Sequence, residues 1–361
     1  MQKNNNQMSF TGVYVSRRKL KSEFLTQINK LVDWKEIESV IQENYHKGMS
    51  VAGRPSYPGL LLFRMCLLQS WYGLSDYEVE EKVNDSLSFM QFVGLQLEDE
   101  VPDHSVISRF RSELTGKNAF EKIFEQINAQ LESKGLIVKT GAIVDATVTD
   151  SPRKPKGKPT YAIAEDRKEE ECSQPDAVAE AVPPQAGSTL TQRGVDPEAA
   201  WLKKAGKLHY GYKKHLCTDE AEGMVTAVVT TAANESDMHH ITDVVDKSKL
   251  KKGARVKADK GYASEANREA LKARGFKDNI MHKAVRNKPL TGWEIKFNRI
   301  ISKTRFRIER TIGSMKRWFK AATARYTGLQ KTHTQHLMEA MAYNLYRSPG
   351  IVAKNASRIA G

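Results

Sequence analysis

The sequence predicts an α/β protein in which a mixed sheet flanked by helices is preceded by an all-helical domain. Three observations predict this class. Apolar residues recur at helical spacing through the first third of the chain, short apolar runs typical of strands begin after Gly135, and strand-like and helix-like segments then alternate. These changes divide the 361 residues into a helical domain at 1–135, a sheet-containing domain at 136–350 and a tail at 351–361.

The helical domain is predicted from several stretches whose apolar residues follow the helical repeat. The clearest are Phe24, Ile28 and Leu31; Leu60, Leu61, Met65 and Leu68; and Tyr77, Val79 and Val83. Ser75 precedes the third stretch, and Asp103 stands before another helical segment. Both residue types are favoured at helix N-caps, so helices are predicted to begin at these two positions.

The second domain is predicted from a regular order of strands and helices. Its elements are strands at 136–138 and 142–144, a hairpin of strands 208–216 and 223–232, a helix at 239–247, a strand at 254–258, a helix at 264–274, a strand at 276–282 and a long helix at 293–319. The hairpin is predicted because a turn rich in Asp and Glu joins two strand-like runs. This order is that of an RNase-H-like fold, in which helices cover both faces of the sheet.

The segment 151–195 interrupts these elements with a different composition. It is rich in Pro, Lys, Glu, Ala, Gln and Ser, and it has few large apolar residues beyond Tyr161, Ile163 and Leu190. Such a segment does not bury enough apolar surface to fold alone. It is therefore predicted to be a mobile insertion in the second domain.

Charge and cysteine usage narrow the class of partner and the compartment. The formal net charge is +14 and the sequence pI is about 9.5, which favours a polyanion such as nucleic acid, with an affinity that falls steeply with salt. Three cysteines without CxxC or zinc spacing predict reduced thiols in the cytosol. The N-terminal MQKNNNQMSF lacks the apolar core of a signal peptide, and the longest apolar run, at 60–68, is too short to span a bilayer.

Three carboxylates are candidates for a chemical site. Asp145 and Asp259 each follow an apolar run, in VDAT and ARVKAD, and the carboxyl ends of neighbouring parallel strands face one crevice. Taken singly, either Asp is more often a turn or helix cap, and Glu309 is more often the ion-pair partner of Arg305 on a helix. Together the three acids predict an all-oxygen site for Mg²⁺ or Mn²⁺. Two such ions about 3.5–4 Å apart stabilise both oxygens of an in-line phosphoryl displacement.

Several motifs resemble one family over nearly the whole chain. They are GRPSYP (53–58), LLQSWYGLSDYEVE (67–80), FVGL (92–95), PDHSVISRFR (102–111), VDAT (144–147), HYGYKKH (209–215), TAANESD (231–237), ADKGY (258–262) and RFRIERTIGSMKRW (305–318). The family is the insertion sequence 5 group of bacterial transposases, whose N-terminal region is InsH-like. Its third-acid signature is Tyr, two residues, Arg, three residues, Glu, six residues, Lys. Arg305, Glu309 and Lys316 match this signature, and Ser302 stands in the Tyr position.

The resemblance implies a DNA transposase that works in two steps. Water cleaves the phosphodiester at an insertion-sequence end and frees a 3′-OH, which then attacks target DNA without a covalent protein–DNA intermediate. Asp145, Asp259 and Glu309 are the implied catalytic residues and the ligands of two divalent ions, Mg²⁺ with Mn²⁺ as a substitute. The residues expected to contact DNA are Arg305, Lys316, Arg109, Arg111, Lys213 and His215. The helical domain is expected to recognise DNA ends or to mediate dimerisation.

The implied partners are double-stranded DNA, as terminal inverted repeats and as target, and further copies of the chain in a synaptic homo-oligomer. The expected location is the bacterial cytoplasm at the nucleoid, without membrane association. Two other functions stay open at this point. One is a catalytically inactive DNA-binding regulator derived from a transposase, although such a protein has typically lost at least one acid. The other is an RNase-H-like nuclease that cuts DNA without joining it.

Overall fold

The structure is a computed structural model that describes residues 23–45, 56–156, 161–163, 190–192, 194–204, 206–285 and 289–360. Most of the insertion predicted at 151–195 lies outside these ranges. Its mobility therefore stays a prediction. In the described part of the chain no helix is long and apolar enough to cross a membrane.

The predicted helical domain is helical, and its helices begin where the sequence places their caps. They are α1 (Glu23–Leu31), α2 (Trp34–Asn44), α3 (Gly59–Tyr72), α4 (Asp76–Asp85), α5 (Leu87–Val93), α6 (His104–Gly116) and α7 (Ala119–Ser133). The Ser75 hydroxyl accepts a hydrogen bond from the Glu78 N–H at 3.2 Å, and the Glu78 carboxylate accepts one from the Ser75 N–H at 2.6 Å. The Asp103 carboxylate accepts the Ser105 and Val106 N–H groups at 2.7 and 3.0 Å. Both predicted N-caps are confirmed.

Among the described residues, a six-stranded mixed sheet follows these helices. Its strands are β1 (Gly141–Asp150), β4 (Ala200–Lys204), β5 (Lys207–Asp219), β6 (Val225–Ala232), β7 (Arg255–Ala258) and β8 (Lys277–Ile280), while β2 (Tyr161–Ile163) and β3 (Leu190–Gln192) form a separate antiparallel pair. The order across the sheet is β4-β5-β1-β7-β8, and β6 pairs with β5. β1, β7 and β8 are parallel, whereas β5 runs antiparallel to β1, β4 and β6. The predicted hairpin is therefore β5–β6.

The prediction of a strand at 136–138 is wrong. Gly135 ends α7 in the left-handed conformation, with φ of 68°, and the Leu136 N–H returns to the Leu131 carbonyl at 2.9 Å. Leu136 and Ile137 are buried in the core without any strand pairing. A short apolar run shows that residues are buried but does not show that they are extended, which is why the sequence misled here.

Four helices complete the described fold, and three of them were predicted. They are α8 (Ile241–Lys247), α9 (Glu265–Ala273), α10 (Gly292–Trp318) and α11 (Leu329–Ala360). The sequence did not predict α11, which continues through Pro349 without a break at the expected tail boundary. Its Asn344 amide donates to Asn128 on α7 at 2.8 Å and to the Val225 carbonyl on β6 at 2.7 Å. α11 thus joins the helical region to the sheet.

The two faces of the sheet belong to different cores. On one face Leu216 and Val228 join the large core that also contains Phe63, Phe110 and Met341. The other face, packed against α8 and α9, forms a smaller core that includes Val144, Cys217, Val245, Val256 and Leu271. Because the N-terminal helices share their core with the sheet, experiments on this protein are best made with the full chain.

Candidate active site

The first two candidate acids lie side by side on the sheet. β1 and β7 run parallel, and Val144 opposite Ala258 is the last pair of their register. Asp145 and Asp259 are the next residue of each strand, so both stand where the parallel pairing stops. β7 ends there, but β1 continues to Asp150 alongside β5. The two carboxylates therefore stand at the end of β7, against the middle of β1.

The third candidate, Glu309, reaches the same place from α10, and its side chain is 60% exposed. One turn earlier on that helix, Arg305 lies among all three acids. Its Nη2 is 2.7 Å from Asp145 Oδ2 and 3.9 Å from Glu309 Oε1, and its Nη1 is 3.6 Å from Asp259 Oδ1. The structure thus brings the three predicted carboxylates together around one guanidinium. We call these four residues the carboxylate–arginine cluster.

Arg305 carries the positive charge of the cluster. Its side chain is only 13% exposed, and this burial lowers the pKa of the guanidinium, but the carboxylates of Asp145, Asp259 and Glu309 raise it more. Arg305 therefore stays protonated, as guanidinium groups do in proteins. Its Nε, however, has no hydrogen-bond partner among the described residues although it is buried.

Tyr262 is a second incompletely bonded residue of this region. Its hydroxyl is buried and without a hydrogen-bond partner among the residues the structure describes. Burial, and then the negative charges of Asp145 and Asp237, raise the pKa of this hydroxyl well above its usual value. Buried polar groups are nearly always hydrogen-bonded. The unmet groups of Tyr262 and Arg305 indicate that the region is built to receive a further group.

The donor set of the cluster fits a divalent metal ion. Carboxylate oxygens are the ligands that Mg²⁺ and Mn²⁺ prefer. Within the described ranges, however, no three His, Cys, Asp or Glu side chains are placed to hold one ion, and Arg305 lies among the acids instead. The residues therefore fit such an ion in chemistry, and the Arg305 guanidinium contacts the same carboxylates in this structure.

Lys316 and Arg109 are two of the residues expected to contact DNA. Lys316 lies two turns beyond Glu309 on α10 and is half-buried, and burial, then the charges of Lys214 and Lys204, lower the pKa of its ammonium group. Arg109 lies on α6, where its guanidinium donates to the Ser105 hydroxyl at 3.0 Å and remains exposed. Both side chains are accessible to solvent, so DNA contact by Lys316 and Arg109 stays a prediction.

Arg111, expected to contact DNA, is instead engaged inside the helical region. Its side chain is 9% exposed and donates to both oxygens of Asp76, at 3.0 and 2.8 Å. Its guanidinium also stacks on the Tyr326 ring, 4.5 Å from the centroid. In this position Arg111 joins α6 to α4 and to the segment before α11, and its guanidinium is paired with Asp76.

Lys213 and His215, on β5, are likewise buried where DNA contacts were expected. Lys213 Nζ lies 2.8 Å from Asp237 and donates to the Glu235 carbonyl at 2.5 Å. His215 is fully buried beside Thr231 and His240. Burial, and then His240, lower the pKa of His215 to about 4, so its ring is neutral at pH 7. The sequence did not show that α8 and the turn before it cover this face of β5.

Replacing Arg111 by Met tests the structural role of that residue. We expect the free energy of unfolding to fall by about 3 kcal/mol, near the lower end for breaking a buried ion pair, because Asp76 is partly exposed. Chemical denaturation measures this loss. Arg109→Met, two residues away and exposed, is the control and should change stability little. A stable Arg111→Met protein with weakened DNA binding would restore the original prediction.

Besides Tyr262, sequence reasoning missed the buried ion pair of Lys214 on β5 with Glu339 on α11. Tyr262 stands in the ADKGY motif, three residues after Asp259, which was a usable signal. No sequence signal pointed to Glu339, because α11 itself was not predicted.

Two family models match this chain. One is a transposase domain, DUF772, at residues 13–113, and the other is a transposase DDE domain at residues 138–345, which is more than half of the chain. The chain belongs to the DDE transposase family. A transposase for insertion sequence element IS1106 from Neisseria meningitidis serogroup B is 36% identical over 251 residues, which cover 69% of this transposase and 80% of that relative.

Solved transposase structures are more distant. A piggyBac transposase synaptic complex with hairpin DNA has a TM-score of 0.41 at 9% identity, covering 93% of this transposase and 74% of that chain. A Mos1 mariner paired-end complex with Mn has a TM-score of 0.20 at 9% identity, covering 88% and 93%. Likenesses this low carry no argument about the site.

The family membership confirms three sequence predictions. The protein is a DNA transposase of the insertion-sequence type, an enzyme, and its second domain has the RNase-H-like fold. Neither the inactive regulator nor the non-joining nuclease gains support from the relatives. Transposase DDE domains use divalent metal ions and act on DNA, in keeping with the predicted cofactor and partner classes.

Proposed function

We propose that Asp145, Asp259 and Glu309 are the catalytic acids of this transposase and the ligands of two divalent ions, Mg²⁺ with Mn²⁺ as a substitute. The observation that carries this proposal is the convergence of three acids, distant in sequence, on Arg305. When bound, such ions stabilise the charge on the attacking and leaving oxygens of a phosphoryl displacement.

The chain positions each acid in a different way. The Asp145 Oδ1 accepts the Ala146 N–H at 2.8 Å, and the Asp259 Oδ1 accepts the Lys260 N–H at 2.6 Å, so the backbone fixes one oxygen of each. The other oxygen of Asp145 accepts a hydrogen bond from Arg305 Nη2 at 2.7 Å, which is the contact that a metal ion would replace. Glu309 is exposed on α10 and free to adjust. Arg305 and Lys316, on the same helix, orient DNA phosphates beside the acids.

The proposed substrate is double-stranded DNA carrying the terminal inverted repeats of an insertion sequence. Cleavage frees a 3′-OH, which attacks a phosphodiester of target DNA. Two ends must meet in one complex, so the active form is a homo-oligomer, acting at the nucleoid in the bacterial cytoplasm. The formal charge of +14 favours this polyanionic substrate.

The test uses the purified full chain with a labelled duplex that carries the terminal repeat of its own element. With Mg²⁺ we expect a nick at the repeat and joined product with a second duplex. Glu309→Gln should bind the duplex as before and give neither product. Binding without cleavage by the wild-type protein would indicate a regulator, and cleavage without joining would indicate a nuclease.

A further inference from the structure

The N-terminal half of α10 presents aromatic rings to solvent. Trp293 is 64% exposed, and its ring stacks on Phe297 with centroids 5.3 Å apart and planes at 21°. The His282 ring meets Trp293 and Phe297 edge-on, at 5.6 and 5.3 Å. Ile300, 62% exposed, follows on the same side of the helix. Exposed apolar clusters of this kind mark interaction sites.

Cations accompany these rings on the same helix. Lys296, Arg299 and Lys303 are exposed, and no carboxylate of the described chain pairs with them. Residues 293, 296, 300 and 303 follow the alternating three- and four-residue spacing of one helix face. We call Trp293, Lys296, Phe297, Arg299 and Lys303 the aromatic–basic surface.

The positive charge of this surface favours a polyanion as its binding partner over a second copy of the chain. Residues 292–307 contain five cations and one acid, Glu294. Glu294 is already used at the helix start, where it accepts the Thr291 N–H at 2.7 Å and the Thr291 hydroxyl at 2.9 Å. A twofold interface between copies would place the same patch against itself and bring these cations face to face.

The stacked rings select unpaired nucleotides over intact duplex. Bases within a duplex are stacked on one another, so an exposed indole reaches a base face only where a strand is unpaired. Proteins that bind single strands combine such aromatic platforms with basic grooves that follow the phosphates. Along α10, Trp293 lies 16 residues from Glu309, about 24 Å at 1.5 Å per residue. That is about seven nucleotide steps at the 3.4 Å spacing of stacked bases, and fewer where the strand is extended.

We infer that the aromatic–basic surface binds unpaired nucleotides of the DNA strand that leads away from the carboxylate–arginine cluster. Trp293 and Phe297 stack on a base, and Lys296, Arg299 and Lys303 neutralise the neighbouring phosphates. This inference rests on the proposed function, because cleavage at a DNA end creates the strand terminus whose unpaired nucleotides the surface would bind. It adds a second DNA-binding element outside the cluster.

The experiment measures binding of a fluorescent twelve-nucleotide dT oligonucleotide, and of a blunt duplex of equal length, to the full chain without divalent metal. Trp293→Ala should weaken oligonucleotide binding about tenfold and duplex binding little, because stacking on an aromatic ring is lost. Trp293→Phe keeps a ring and should restore most of the affinity. Near wild-type circular dichroism of each variant shows that it is folded.

Charge is tested with a matched pair of triple variants. Lys296→Ala/Arg299→Ala/Lys303→Ala should reduce the logarithmic salt slope of oligonucleotide binding by about 2, at ~0.7 per phosphate contact. Lys251→Ala/Lys252→Ala/Lys272→Ala removes three exposed cations on the α8–α9 side and should leave the slope unchanged.

Unchanged oligonucleotide affinity in Trp293→Ala would overturn the inference. A change in sedimentation mass with unchanged oligonucleotide affinity would instead make the surface an interface between copies. Neither result depends on cleavage. A wild-type protein that binds the oligonucleotide through Trp293 but does not cut its end DNA would overturn the proposed function alone.

Discussion

Asp259→Asn is expected to leave folding and end-DNA binding intact and to abolish cleavage and joining. Asp259 caps the 3-10 turn Lys260–Tyr262 by accepting the Lys260 N–H, and an Asn side-chain oxygen accepts the same bond. What Asn lacks is the negative charge. A metal site supplies several kcal/mol of transition-state stabilisation, so we expect the cleavage rate to fall by at least ~10²-fold.

Asp33→Asn is the matched control for this change. Asp33 caps α2 by accepting the Lys35 N–H at 3.0 Å, far from the carboxylate–arginine cluster in the chain. The control should fold, bind and cleave as the wild type does. Single-turnover cleavage of a labelled end measures both variants, and thermal unfolding verifies that each is folded. Near-normal cleavage by Asp259→Asn would remove Asp259 from the proposed site and leave it as a cap.

The positions of the carboxylates could be predicted because local sequence patterns indicate where strands end and in which order they follow. Asp145 and Asp259 each follow a short apolar run, and parallel neighbours must bring those positions together. The register Val144–Ala258 then places them side by side. Glu309 could be placed through the long helix that carries it. Each of these inferences needed only local periodicity and the order of elements.

Residues whose role depends on a distant partner were not predictable in this way. Arg111 was expected to bind DNA because it is basic and follows a cap, but Asp76, from another helix, takes its guanidinium. Lys213 likewise forms an ion pair with Asp237, from a different part of the chain. α11 was missed because nearly all of its side chains from 332 to 345 are buried between the helical region and the sheet, so this part of the helix shows no amphipathic stripe.

Arg305 is the residue whose part in the site follows from geometry alone. Its guanidinium lies among the acids that are proposed to bind metal, and it supplies the positive charge there. A guanidinium and a divalent ion compete for the same carboxylate oxygens. We therefore expect Arg305→Gln to be less stable than the wild type without metal, because three neighbouring acids lose their shared cation.

The same substitution is expected to strengthen metal binding by about tenfold, measured by calorimetry with Ca²⁺ or Mg²⁺ in the absence of DNA. Ligand binding to the folded state raises stability with the logarithm of affinity. Under saturating metal, the gain in unfolding free energy should therefore exceed that of the wild type by about 1.4 kcal/mol. Cleavage should still fall, because Arg305 is also expected to hold a phosphate.

Arg310→Gln controls for the loss of a positive charge on the same helix. Arg310 donates to the Glu222 carbonyl at 2.8 Å and has no ion pair with the three acids in the described structure. It should shift metal affinity little, through long-range charge alone. Equal metal responses in Arg305→Gln and the wild type would show that the guanidinium does not compete with metal. Arg305 would then act only as a phosphate contact. Its position among the three acids in the metal-free protein would have no effect on metal binding.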